Sequence, residues 1–186
     1  MTTHRILFVD DEQNILSALC RTLLDEPYEL VTATSAEEGL NILGREKIQV
    51  VISDERMPGM DGAAFLNIVR HRYPETVRMM LTGHASVEAT MRAVNNGEIY
   101  RFFTKPWDDN MLKLAIRSAV EKYDLEDENR RLLKTVKRQS QELKSLEQRY
   151  PGISELQMTP QGAYELPEID DDEVQRIISL CNSENG

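Results

Sequence analysis

Short runs rich in β-branched or aromatic residues recur along the N-terminal part of this chain, and a helical pattern separates each from the next. RILFV ends at Val9, a second run covers 28–33, QVVIS ends at Ser53, VRMML at Leu81 and IYRFF at Phe103. Strands that alternate with helices join through crossovers, so neighbouring strands run parallel and helices cover both faces. The expected fold is α/β, with strands near 5–9, 28–33, 49–53, 77–81 and 100–103. In such sheets ligands bind beyond the carboxyl ends of the strands. Those ends carry Asp10 with Asp11, Asp54, Thr82, and Thr104 with Lys105. Residues far apart in sequence are therefore expected to meet in one pocket. Asp10 and Asp11 alone would read as a solvated turn, and Asp54 alone as a strand-end carboxylate; the ordered set carries the information.

The helices between these runs have their own signals. Ile15, Leu16, Leu19, Leu23 and Leu24 repeat at helical spacing over about 13–25, and Ser35-Ala-Glu-Glu38 reads as a capping box opening the second helix. Asp61-Gly62 precedes a third, with Phe65, Leu66 and Val69 on one face. Met91 and Val94 mark a short fourth helix after Ser86, stopped by Asn96-Gly97, and Trp107-Asp108-Asp109 starts a fifth.

The fifth pattern meets no stop signal until Pro151-Gly152, longer than an ordinary globular helix. With Asn129, Val136, Leu143 and Tyr150 at heptad position a, position d holds Leu125, Leu132, Gln139 and Leu146. This 4-3 spacing predicts a coiled coil, and a buried Asn129 pairing with its twin favours a parallel homodimer. The seam could instead fold back on the chain's own domain. Under g-to-e pairing Glu128 faces Leu133 and Glu142 faces Glu147, so the coil lacks ionic support. Upstream, Leu112, Ile116, Ala119 and Tyr123 form a stripe offset by one position, which places a register slip near 123–125 and makes that junction a candidate route for signals.

The formal charge is −10, from 32 acids and 22 bases, and the segment after Pro151 supplies −7 of it with eight acids and one base. An acidic chain argues against direct nucleic-acid binding. ISELQM and AYELPE flank a turn-like TPQG, so this tail reads either as a small hairpin followed by a short helix with Val174, Ile177, Ile178 and Cys181 on one face, or as disordered. Cys20, in an apolar helical stretch, reads as core, and two distant cysteines suggest neither disulfide framework nor zinc site. No apolar run approaches membrane-spanning length and no leader precedes the first strand, so the expected setting is cytoplasmic, without membrane association. The expected division is a domain over 4–122, a coil over 123–150 and an acidic segment over 151–186.

The strand-end residues have a common chemistry. A carboxylate that accepts a phosphoryl group needs the negative charge of its target offset, and a hard cation held by further carboxylates does this directly. Asp10 and Asp11 can hold Mg²⁺, or Mn²⁺, which keeps several waters and needs only one or two carboxylates, a carbonyl and the phosphate. Asp54 is then the nucleophile. Lys105 can bind the phosphoryl oxygens, and the Thr82 hydroxyl can donate to them on arrival. Pro106 restricts the backbone of Lys105, in some proteins through a cis bond.

Asp10-Asp11, Asp54 in the run Asp-Glu-Arg-Met-Pro-Gly-Met-Asp-Gly, Thr82 in Leu-Thr-Gly-His and Lys105-Pro106 stand in the order and spacing of a receiver domain. Over residues 4–122 the chain resembles a two-component response regulator. That resemblance implies a flavodoxin-like doubly wound sheet of order 2-1-3-4-5. It implies phosphorylation of Asp54 by a histidine kinase or phosphotransfer protein, Mg²⁺ held by Asp11, Asp54, nearby Asp10 and the carbonyl of Arg56, and an aromatic switch at Phe102. Arg56 and His84, two positions after Asp54 and Thr82, depart from the residues commonest in the family and would tune phosphoryl lifetime. YRFFTKPW is most similar to receivers that precede cyclic-dinucleotide phosphodiesterase or cyclase domains, yet no such catalytic signature and no helix-turn-helix follows. The expected output is contact with another protein through the coil or tail, with no effector catalysis. The alternatives are the regulatory part of a larger cyclic-dinucleotide enzyme or of a transcriptional regulator, whose only candidate phosphate-contacting cluster is Arg130, Arg131, Lys134, Lys137 and Arg138.

Overall fold

The computed structural model describes residues 4–83, 99–149, 157–158 and 164–165. Strands β1 (His4–Val9), β2 (Tyr28–Ala33), β3 (Val50–Asp54), β4 (Val77–Thr82) and β5 (Arg101–Thr104) form one sheet in the order β2-β1-β3-β4-β5. All four pairings are parallel. Helices α1 (Gln13–Thr22), α2 (Ala36–Arg45) and α3 (Gly62–Arg72) connect the first four strands. The helix expected after Ser86 lies outside the described residues. The long C-terminal helix, fifth in the sequence reading, is α4 (Asp109–Arg149).

Period-two alternation along the strands divides the core into two layers. Ile6, Phe8, Val50, Ile52, Met79 and Leu81 face α1 and α4, where Leu16, Leu19, Leu112, Ile116 and Ala119 are fully buried. Leu7, Val9, Val51 and Met80 face the other way, toward Leu43 of α2 and Phe65, Leu66 and Val69 of α3. Both faces of the central strands β1 and β3 are thus covered, which explains why Ile6–Val9 and Val50–Ile52 read as continuous apolar runs. Cys20 is a free thiol only partly buried, and that burial raises its pKa.

Helix starts follow the local chemistry. Ser35 caps α2 by accepting from the Glu38 N–H at 3.2 Å. The return bond of the expected capping box is shifted by one residue, because the Glu38 carboxylate takes the N–H and hydroxyl of Thr34 at 2.7 and 3.0 Å. Asp61 caps α3 through Ala64 N–H at 2.7 Å, and Asp108 accepts from Met111 N–H at 2.8 Å at the start of α4. Each satisfies an amide that has no partner within its own helix.

The chain divides into two compact units, Met1–Leu132 and Leu133–Gly186. In the first, Leu112, Ile116, Ala119 and Tyr123 are the sheet-facing side of α4, all buried. Leu125 and Leu132 are exposed, and so are Val136, Leu143 and Leu146 in the second unit. The helix runs unbroken through 123–125. Of the two stripes, the sheet-facing one is buried and the other is exposed. In the second unit, Gln157–Met158 (β6) pairs antiparallel with Tyr164–Glu165 (β7), and the expected final helix lies outside the described residues.

Candidate phosphoryl-acceptor site

Register brings the strand-end residues level. Val9 pairs with Ser53, Asp54 with Leu81, and Thr82 with Thr104, so the carboxyl ends of β1, β3, β4 and β5 open on one edge. The turns after β1, β3 and β5 are fixed by backbone bonds. Asp10 N–H donates to Ala33 O at 3.2 Å, Glu55 N–H to Leu81 O at 2.8 Å, and Lys105 N–H to Thr82 O at 2.8 Å. The Lys105–Pro106 peptide is cis.

Three charged side chains meet there. The Lys105 ammonium lies 2.7 Å from Asp10 Oδ2 and 2.5 Å from Asp54 Oδ1. The remaining oxygens also have partners: Asp10 Oδ1 accepts from Glu12 N–H at 2.9 Å, and Asp54 Oδ2 from Arg56 N–H at 2.7 Å. Asp10 is 1 % exposed and Asp54 6 %. Burial, with the charge of Asp54 adding to it, pushes the Asp10 carboxyl above its ordinary range against the opposing pull of Lys105 and Glu12 N–H. Burial also works against the Lys105 ammonium, but its bonds and charge interactions with Asp10 and Asp54 outweigh it and hold the pKa above the usual lysine value. Two carboxylates share one ammonium, so the cluster is short of positive charge.

This imbalance sets a pH dependence. A carboxyl whose folded pKa is raised stabilises the fold when protonated and loses that contribution as pH rises through the folded pKa. In magnesium-free buffer Asp10→Asn is therefore expected to stabilise the protein at pH 7. The gain should shrink as pH falls toward the ordinary carboxylate range, where wild-type Asp10 is itself protonated. Urea melts of both proteins at several pH values measure it, and an Asp10→Asn protein less stable than wild type at pH 7 would contradict the charge argument.

The donor set suits a hydrated hard cation. Among the described residues no three acids or histidines close into a metal cage. Mg²⁺ does not require one, since it retains waters and takes one or two carboxylates. Buried Asp10 and Asp54 converge on Lys105, and Asp11, next to Asp10 in the chain, is exposed. Arg56 follows at the surface after Asp54.

Thr82 is completely buried, and its hydroxyl donates to Glu55 Oε2 at 2.5 Å. Glu55 was not singled out by sequence. Its position directly after Asp54 in a turn gives no periodic signal, and only the contact shows its relation to Thr82. Phe102 and Phe103 are both partly buried and pack on opposite layers, Phe103 with the α1–α4 side and Phe102 with the α2–α3 side. His84 lies outside the described residues. An open cleft of 720 Å³ beside Lys105 is lined by Ile15, Ala18, Arg21, Pro106, Trp107 and Asp109, among others.

A five-stranded parallel sheet of this order, with an acidic pocket at its carboxyl edge, defines the flavodoxin-like receiver class. The chain belongs to the response regulator receiver domain family, whose model matches residues 6–117. It is 40% identical over 127 residues to the hydrogenase transcriptional regulatory protein HoxA of Cupriavidus necator, a match covering 68% of this chain and 26% of that protein. It is also 40% identical over 116 residues to the transcriptional regulatory protein GlrR of Escherichia coli, covering 62% and 26%. Among solved structures, the signal receiver domain of an HD domain-containing protein from Pseudomonas fluorescens has a TM-score of 0.65 at 39% identity, covering 69% of this chain and 94% of that one. A structure titled adenylate cyclase, from Rhodopirellula baltica, has a TM-score of 0.68 at 36% identity, covering 72% and 98%. The chain spans about a quarter of the length of the curated relatives it matches. No described helix is long and apolar enough to cross a membrane.

Proposed function

We propose that this chain is a phosphorylation-controlled signalling protein in which Asp54 accepts a phosphoryl group from a histidine kinase or phosphotransfer protein. The observation that carries this is the convergence of Asp54, Asp10 and Lys105 within direct ion-pair distance at one sheet edge. An oxygen of Asp54 attacks phosphorus, the bond from phosphorus to the donor's leaving atom breaks, and an acyl phosphate results. Lys105, already bonded to Asp54, binds an oxygen of the incoming group. Asp10, Asp11, Asp54 and the Arg56 carbonyl would hold Mg²⁺ or Mn²⁺, which when bound offsets the charge of the phosphoryl group. The cleft between α1 and the β5–α4 turn adjoins Lys105 and offers Trp107 and Ile15 to a docking partner. Arg56 and His84 remain the candidates for setting phosphoryl lifetime, and Phe102 for relaying the change at Thr82.

The test is uptake from acetyl phosphate, followed by intact mass. One phosphoryl group should be gained with Mg²⁺ and none with EDTA. Equal gain in both would remove the metal-assisted site from the account.

Residues 4–122 act as the receiver, 123–150 as a coil and 151–186 as an acidic segment in this reading. Leu125, Asn129, Leu132, Val136, Leu143 and Leu146 form the seam of a parallel homodimer, supported by an unbroken helix on which all six are exposed in the single chain. Leu132→Asp combined with Leu143→Asp should convert a dimer to a monomer in sedimentation, while Asn129→Leu should raise the melting temperature and admit other oligomers. A wild type that stays monomeric at high concentration would dispose of the seam.

The output is contact with another protein, with no effector catalysis and no direct nucleic-acid contact by this segment, in a cytoplasmic setting. A second reading makes the segment the receiver of a longer regulator. The transcriptional regulators among its relatives, about four times as long as the matched segment, favour that reading. The cyclase-titled and HD-domain relatives favour a larger enzyme.

A further inference from the structure

We infer that Glu55 is a latch on the receiver's switch: its carboxylate holds the Thr82 hydroxyl away from the phosphoryl site, and phosphoryl binding must break that bond. The inference rests on Asp54 being the phosphoryl acceptor. Its geometry is independent of any ligand. Thr82 is fully buried, and the hydroxyl donates to Glu55 Oε2 at 2.5 Å. A threonine hydroxyl has a single proton to donate, so it can bond Glu55 or a phosphoryl oxygen but not both. A buried donor without a partner is costly, so in the unphosphorylated protein the hydroxyl stays with the acceptor it has.

The backbone fixes this pairing in place. Glu55 N–H donates to Leu81 O at 2.8 Å, and Glu55 O accepts from Gly62 N–H at 2.9 Å, so the root of the Glu55 side chain is held against the end of β4. On the other side, Thr82 O accepts the amide of Lys105 at 2.8 Å. Both partners are thus anchored, and only the two side chains need to rotate for the hydroxyl to be released. A charged acceptor makes this bond stronger than a neutral one. Glu55 therefore sets the free energy that phosphorylation must supply before Thr82 can follow the phosphoryl group, and it lowers the resting population of the switched state.

Beryllofluoride, a phosphoryl mimic, tests this with Mg²⁺ by titration calorimetry on the full chain. Glu55→Ala should bind it about tenfold more tightly than wild type. Glu55→Asp keeps the charge but is one methylene shorter and should show the same gain, whereas simple relief of electrostatic repulsion would leave Glu55→Asp like wild type. Both gains should vanish in a Thr82→Val background, because no hydroxyl remains to be released. Equal gains with and without the Thr82 hydroxyl, or unchanged affinity in Glu55→Asp, would overturn the latch while leaving the acceptor site intact. Failure of wild type to bind beryllofluoride, with Asp54→Asn indistinguishable from it, would remove the acceptor reading and the latch together.

Discussion

Asp54→Asn should abolish phosphoryl uptake from acetyl phosphate in the presence of Mg²⁺, with the intact mass unchanged after an incubation that modifies wild type. The amide is nearly isosteric with the carboxylate and can still accept from Arg56 N–H, so the loss reports chemistry and not collapse. An amide oxygen lacks the charge that makes the carboxylate a nucleophile and the anionic ligand that a hard cation prefers. Lys105 keeps Asp10 as a partner at 2.7 Å, so the cluster is not left with an unpaired ammonium. Asp11→Ala should also lose uptake, but for a different reason, and raising the Mg²⁺ concentration should partly restore it. No metal concentration should rescue Asp54→Asn. Equal phosphoryl gain in Asp54→Asn and wild type would mean that another group is modified and that the convergence at Lys105 has a purely structural role.

Gly62→Ala should destabilise the protein by about 3 kcal/mol, the upper part of the range for overpacking. A β-carbon at Gly62 would stand 1.9 Å from the carbonyl oxygen of Asp54, an atom of the backbone and so unable to swing aside. The chain must open at the turn between β3 and α3, where Gly62 N–H bonds Glu55 O. Because that turn carries Asp54 and Glu55, slower phosphoryl uptake should accompany the loss of stability. Two other glycines calibrate the effect. An alanine at Gly39 would meet the side chains of Phe65 and Val9 at 3.1 Å, which can give slightly, and should cost less; at Gly83 nothing lies within 4 Å, and the change should be small. Urea midpoints of the three variants should therefore fall in the order Gly62, Gly39, Gly83, the first being lowest. A Gly62→Ala protein as stable as Gly83→Ala would show that the β3–α3 turn is much softer than its contacts indicate.

The sheet was legible because its causes are local and periodic. Both faces of β1 and β3 are covered, so Ile6–Val9 and Val50–Ile52 remain apolar at every step, and helical spacing separates them. Caps at Ser35 and Asp61 were readable from side chains that can reach their own helix's first amides. The partner of Glu38 was not, because a carboxylate can reach either of two neighbouring amides and the entering backbone chooses Thr34. The two stripes of α4 were legible as apolar faces offset by one position. Sequence shows which faces are apolar but not what covers each, and here the sheet covers the first, whereas the residues of the second are exposed.

The sequence by itself determined which residues stand at the carboxyl ends of the strands, because the alternation of strand and helix forces parallel pairing and brings those ends to one edge. That was sufficient to gather Asp10, Asp54, Thr82 and Lys105 from across the chain. Only the tertiary structure decided how they share their bonds: Lys105 spans Asp10 and Asp54, while the Thr82 hydroxyl belongs to Glu55. The reason is physical. Strand order is set by patterns repeated over many residues, each adding to the same outcome, whereas a hydrogen bond depends on the relative position of two side chains to within a few tenths of an ångström. That position is fixed only when β3, β4 and β5 are packed in register and the turns after β3 and β5 are tied by their own backbone bonds.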